Sequence, residues 1–245
     1  MELSLYTHPG DFPEVDAKGV SVVVVDVLRA SSTIVHACEN GVERIIPVAS
    51  VEDATKLIPT LDRKSTLLGG EREGIKVDGF DLGNSPLEYT SEAVKGKTLI
   101  FSTSNGTVAI TRSSAAKEIV LGCFLNLDAV AAHIISGRAK KVAVLCAGDL
   151  EQLSLEDFVC GGCIVDRIVT GTRASTVLND AAVAARTLAN TIGDVGEVVR
   201  NSSHGLHLAE LGFGDDLEFC SRVNEFRTAP VVIDGRISLQ TPHRR

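Results

Sequence analysis

Tryptophan is absent from this chain, methionine occurs once, and aromatic side chains make up 4% of its 245 residues. A core must therefore be built from Val, Ile, Leu and Ala, which suits parallel sheet covered by helices. No apolar run approaches the ~20 residues that span a bilayer, which argues against a membrane partner. No signal-peptide pattern opens the chain, so export is not expected. The six cysteines, Cys38, Cys123, Cys146, Cys160, Cys163 and Cys220, read as reduced thiols. Basic residues are in deficit, 24 against 32 acidic ones, for a net charge of -8. An acidic surface repels a polyphosphate backbone and excludes nucleic acid as a partner. Any site for a small anion must then concentrate positive charge locally. The expectation is a soluble cytoplasmic protein, with a homo-oligomer left open. Arg244 and Arg245 read as a solvated tail.

What the chain does have is alternation. Short apolar runs at 22–25, 44–47, 66–68, 98–101, 118–121, 141–145, 198–200 and 231–233 read as strands. Helical patterns occupy 32–40, 51–57, 106–113, 128–136, 155–170 and 179–191. The run at 22–25 is all valine, as expected of a strand covered on both faces. The alternation predicts an α/β fold of three layers with mostly parallel or mixed sheets.

A repeat lies within it. Thr33 aligns with Thr107, and both segments pass from strand to polar elbow to helix, then to a second strand and a helix opening on Asp-Ala. Further on, the stretch 68–71 (LGGE) aligns with 146–149 (CAGD). These correspondences predict two similar α/β halves related by internal duplication. The first spans residues 1–95; the second spans 96–245 and carries a C-terminal extension. The two are expected to pack as one compact unit.

The elbows carry the chemistry. In the first, DVLRASST (26–33), Asp26 and Arg29 flank Ser31, Ser32 and Thr33 at a helix start. Unpaired N–H groups and the helix dipole make such a start a site for phosphate, carboxylate or sulfonate. Ordinary capping also favours Ser and Thr there, but it leaves Arg29 and Asp26 unexplained. The second elbow, STSNGT (102–107), offers four hydroxyls, an amide and a glycine. Its candidate binding residues are Ser104, Asn105, Gly106 and Thr107, with Gly106 permitting close backbone approach or a positive φ. The loop GFDLGNSP (79–86) reads as ordered and functional, with Asn84 as its candidate ligand. Asp26, Glu71, Asp149, Glu156 and Asp157 lie at or soon after strand ends, and hard oxygens with few histidines nearby suit Mg²⁺ rather than Zn²⁺. First-turn acids are also favoured by the helix dipole alone, so Glu156 and Asp157 stay open between the two readings. His204 is a lone histidine that could be an acid or a phosphate ligand. Cys160-Gly-Gly-Cys163 has no second cysteine pair and reads as helix packing.

DVLRASST (26–33), GGER (69–72), GFDLGNSP (79–86), STSNGT (102–107), the stretch AG…SLEDFVCGG (147–162) and GFGDDLEFC (212–220) together resemble the 2-phosphosulfolactate phosphatases. The resemblance covers nearly the whole chain. It implies a Mg²⁺-dependent phosphatase that releases sulfolactate and phosphate, as in coenzyme M biosynthesis, on a two-part α/β fold. On this reading Asp26, Arg29 and Glu71 are candidate catalytic residues. Asp26, Glu71, Glu156 and Asp157 are candidate metal ligands. Arg72, like Arg29, would bind an anionic group. The partner implied is a small anionic phosphomonoester. The alternatives are a phosphatase for another small phosphorylated hydroxy acid and a non-catalytic binder of anionic metabolites.

Overall fold

The structure, a computed structural model, describes residues 1–13 and 17–239, so Arg244 and Arg245 lie outside the described residues. Its strands are β1 (Glu2–Tyr6), β2 (Ser21–Val25), β3 (Arg44–Pro47), β4 (Thr66–Arg72), β5 (Ile75–Lys76), β6 (Thr98–Ser102), β7 (Glu118–Gly122), β8 (Lys141–Cys146), β9 (Val177–Leu178), β10 (Val231–Ile233) and β11 (Arg236–Ser238). The helices are α1 (Ala30–Glu39), α2 (Val51–Leu57), α3 (Ser91–Val94), α4 (Gly106–Arg112), α5 (Leu127–Ser136), α6 (Leu155–Gly171), α7 (Asp180–Ala189), α8 (Val195–Asn201), α9 (Ser203–Glu210) and α10 (Gly214–Cys220).

The strands form one mixed sheet in the order β5-β4-β6-β3-β11-β10-β7-β2-β8-β1-β9. Two parallel blocks, β4-β6-β3 and β7-β2-β8-β1-β9, flank the antiparallel β10–β11 hairpin. The α/β class read from the alternation is what the chain forms. All of β2 is buried, and its residues alternate between two cores. Val23 and Val25 pack with α5, α6 and α7 through Val130, Ile164 and Ala182. Val22 and Val24 pack with α1 and α4 through Ile34, Ala37 and Ala109. The sheet is the middle of three layers, and an unbroken β-branched run is what its double covering requires.

The chain order and the sheet order do not coincide. Strand β2 lies between β7 and β8, while β6 lies between β3 and β4. No block therefore belongs to 1–95 or to 96–245 alone. Ser21 pairs with Glu118 and Val142; Thr98 pairs with Arg44 and Thr66. Exchanging β2 with β6, β3 with β7, β4 with β8 and β10 with β11 reproduces the central order read backwards. At the ends of the central strands Val25 pairs with Cys146 and Gly70 pairs with Ser102.

The segment 198–200, read as a strand, is part of α8, capped by the Asp194 side chain at the Gly196 N–H. Short β-branched runs carry no period, and a capped turn decides in favour of helix. Among the described residues no helix is long and apolar enough to cross a membrane.

Candidate active site

The C-terminal ends of β2, β4, β6 and β8 open on one cavity of about 410 Å³. Asp26, Arg29, Glu71, Asn84, Ser104, Asn105 and Asp149 line it, and α9 closes it with His204 and His207. The two elbows therefore share one pocket, as the sequence anticipated.

In the first elbow the hydroxyls turn inward. Ser31 Oγ accepts from the Asp26 N–H (3.1 Å), Ser32 Oγ donates to the Val27 carbonyl (2.7 Å), and Thr33 Oγ1 donates to the Asn84 carbonyl (2.7 Å). All three are buried, and none lines the cavity. The helix start is not open to a foreign anion either. The Ala30 N–H donates to Asp26 Oδ1 (3.0 Å), and the Ser31 N–H donates to the Asp26 carbonyl (2.9 Å). Asp26 thus serves as the built-in anion of α1, and its burial, chiefly, pushes its carboxyl up to about 6. Arg29 is 2% exposed and forms an ion pair with Asp216 at 2.7 Å.

The second elbow is tied to the β4–β5 turn by Glu71. Its Oε1 accepts from the Ser104 N–H (2.7 Å), and its Oε2 accepts from the Gly74 N–H (2.8 Å). Arg72 donates to the Glu71 carbonyl and to Ser102 Oγ, beside the cavity rather than in its wall. Thr107 Oγ1 donates to the Thr103 carbonyl (2.8 Å) and closes the turn. Gly106 is required by close approach, since a Cβ there would fall 2.5 Å from both Ala30 Cβ and Asp26 Oδ2. The first residues of α1 and α4 touch at this point.

Behind Asp26 lies an acidic group. Asp157 accepts from the Val27 N–H (2.7 Å) and the Gly148 N–H (3.2 Å), so it anchors the ends of β2 and β8. Burial, with Asp26 and Glu156 nearby, holds its carboxyl well above the ordinary range. Glu156 Oε1 accepts from Ser154 Oγ (2.6 Å) and stands 3.6 Å from His204 Nδ1. Burial alone would raise Glu156, but the adjacent His204 and the hydrogen bond from Ser154 bring it below its usual value. Burial alone would lower His204, and Glu156 overrides it upward. Among the described residues, Glu156 Oε2 and Asn84 Oδ1 are buried without a hydrogen-bond partner.

The family model for 2-phosphosulpholactate phosphatase matches residues 6–235. The chain belongs to the 2-phosphosulfolactate phosphatase family. Its relatives include proteins named probable 2-phosphosulfolactate phosphatase. That of Clostridium acetobutylicum is 38% identical, covering 97% of this chain and 100% of its own length. That of Caldanaerobacter subterraneus subsp. tengcongensis is 39% identical, covering 96% and 97% respectively. That of Thermotoga petrophila is 40% identical, covering 88% and 90%.

A phosphatase family implies a small phosphorylated substrate and suggests metal dependence, and the donors can be tested against that. Among the described residues no three His, Cys, Asp or Glu side chains cluster closely enough to cage an ion. An ion held by one or two carboxylates, with water and substrate phosphate completing its shell, needs no such cage. The unpartnered Glu156 Oε2 and the cavity-facing Asp26 carboxylate are donors of that kind. Glu71 and Asp157, by contrast, already hold backbone N–H groups with both oxygens.

The sequence reading missed His207 and Asp216 and weighed His204 as a lone residue. The readable signal was their spacing, since histidines three apart share one face of α9.

Proposed function

We propose that this chain hydrolyses 2-phosphosulfolactate to sulfolactate and phosphate, with Mg²⁺ as its divalent ion. The observation that carries the reading is the meeting of both elbows, Arg29 and the acids of three strand ends in one cavity. Asp26 and Glu156 would hold the ion, which supplies charge neutralisation and Lewis acidity at the phosphoryl group. The N–H groups of Arg29 not engaged among the described residues bind an anionic group of the substrate. Asn84 and Asn105 flank the cavity with amides that orient the substrate. His204, whose protonated form Glu156 favours, gives a proton to the leaving oxygen. Glu71 and Asp157 act one step back by fixing the second elbow and the ends of β2 and β8. We also take the exchanged strand order as the trace of the internal duplication that the repeat suggests.

The test is phosphate release from 2-phosphosulfolactate, compared with phospholactate and phosphoglycolate, with Mg²⁺ and after EDTA treatment. Release from the sulfonated substrate first, and only with Mg²⁺, is expected. Equal rates on the unsulfonated acids would remove the substrate assignment. Full activity after EDTA would remove the ion.

A further inference from the structure

Asp216 lies in α10, outside both elbows, and is 2% exposed. Its Oδ2 accepts from Arg29 Nη1 at 2.7 Å, and its Oδ1 accepts from Ser85 Oγ at 2.6 Å. Arg29 Nη2 donates to the Gly74 carbonyl at 2.7 Å. The Phe213 ring covers the guanidinium face, its centre 4.1 Å from Cζ. A carboxylate at one nitrogen, a carbonyl at the other and a ring beneath leave the guanidinium plane one orientation.

Stability is a poor reason for this pair. Two charges buried in contact commonly cost more to desolvate than their attraction returns, and apolar residues of similar volume serve as well. What apolar residues cannot do is hold a guanidinium at the wall of a polar cavity. Arg29 stands there, with two of its five N–H donors engaged by the protein and the rest uncommitted among the described residues. Ser85 adds a second consequence, because its neighbour Asn84 lines the same cavity.

We infer that Asp216 is the positioning residue for Arg29. With Phe213 and Ser85 it sets the plane on which the substrate's anionic end binds, and it steadies Asn84 through the same carboxylate. This rests on the reading of Arg29 as a substrate ligand. Asp216 also offsets most of the charge of Arg29, so the arginine selects by directed hydrogen bonds rather than by net field.

The experiment measures kcat and KM for 2-phosphosulfolactate, with melting temperatures, in R29A, D216N and R29A/D216N. It is repeated with millimolar guanidinium. R29A is expected to raise KM by roughly tenfold or more, and D216N by a smaller factor, about threefold to tenfold, while still melting as a folded protein. The double variant is expected to be no worse than R29A, because the Asp216 charge acts through Arg29 and the amide oxygen that D216N keeps still accepts from Ser85. Guanidinium is expected to restore R29A in part and R29A/D216N not at all, since only the carboxylate docks it. A purely structural aspartate would not discriminate in this rescue. An unchanged KM in D216N, additive effects, or equal rescue of both variants would overturn the inference. An unchanged KM in R29A would instead remove Arg29 from the substrate and with it the proposed role of that side chain. Should D216N not fold, S85A and F213L press the same clamp from its other sides. Raised KM in both supports the inference, and unchanged KM in both overturns it.

Discussion

Gly106→Ala puts one methyl where the two elbows meet. The new Cβ would sit 2.5 Å from Ala30 Cβ and 2.5 Å from Asp26 Oδ2, well inside van der Waals contact. Ala30 is the first residue of α1 and has no rotamer to change. Asp26 has one, but its other oxygen accepts from the Ala30 N–H at 3.0 Å, so the carboxylate cannot turn without uncapping the helix. Overpacking of this kind costs about 1–3 kcal/mol. For a chain of this length that is a fall in melting temperature of roughly 5 °C. The effect on rate should be larger, because the group displaced is a carboxylate that lines the cavity. A shift on the order of 1 Å in a reacting group costs ~10²-fold. Thermal melts in EDTA and phosphate release with Mg²⁺ read the two effects separately. Gly193→Ala is the control, since its Cβ would meet nothing within 4 Å. A G106A protein that melts and turns over like G193A would refute the claim that the elbows are in contact through Asp26.

Asp26→Asn should abolish phosphate release. In EDTA above about pH 6 it should also melt higher than the parent, because it removes a charge that burial disfavours. The sign follows from the raised value: an acid whose carboxyl sits at about 6 when folded, against 3.8 ordinarily, loses stability as pH rises between those values. A lower melting temperature for D26N would contradict this. His204→Ala should lower kcat by roughly 10²–10⁴-fold with a smaller change in KM, and a pure KM effect would show that the histidine only binds. Away from the site, His133 donates to Glu118 at 3.0 Å, and this bond, against burial, holds Glu118 below its ordinary 4.5. A depressed acid stabilises above its ordinary value and loses that contribution as pH falls through the folded one. E118Q should therefore melt lower than the parent near neutrality, by under about 1 kcal/mol for a partly exposed pair, and the two should converge on acidification. Parallel curves would count against the pair.

The sequence showed where chemistry could sit more clearly than which atoms face it. The four valines of β2 and the polar elbow after them are legible because period and composition change together at Asp26. Asp26, Arg29, Glu71, Asn84, Ser104 and Asn105 all reach the cavity. Ser31, Ser32 and Thr33 do not, because a hydroxyl's direction is set by the nearest backbone acceptor and not by its spacing along the chain. Gly106 was read for either close approach or positive φ, and only the neighbouring Ala30 decides between them. The strand exchange was invisible, since β2 and β6 look alike whichever block receives them. His204, His207 and Asp216 come from the extension outside the repeat, and only the tertiary fold gives a partner to a buried arginine. Strands β5 and β9, two residues each, fall below any window in which periodicity can be seen.

Charge gives the cavity its logic. Its wall carries Asp26, Glu71, Glu73 and Asp149 against Arg29, His204 and His207. Arg29 is matched by Asp216 and His204 by Glu156, so neither contributes a free cation. The wall is therefore acidic, on a chain that is acidic throughout. A substrate bearing a phosphate, a sulfonate and a carboxylate would be repelled from such a wall at short range, where screening is weak. Directed N–H groups can orient that substrate but cannot reverse the sign of the field. A divalent ion on Asp26 and Glu156 would reverse it, turning the acids from a barrier into the means of binding. The acids that would exclude a bare anion are then the ones that would admit it as a metal complex, and the ion would serve recognition before it serves hydrolysis.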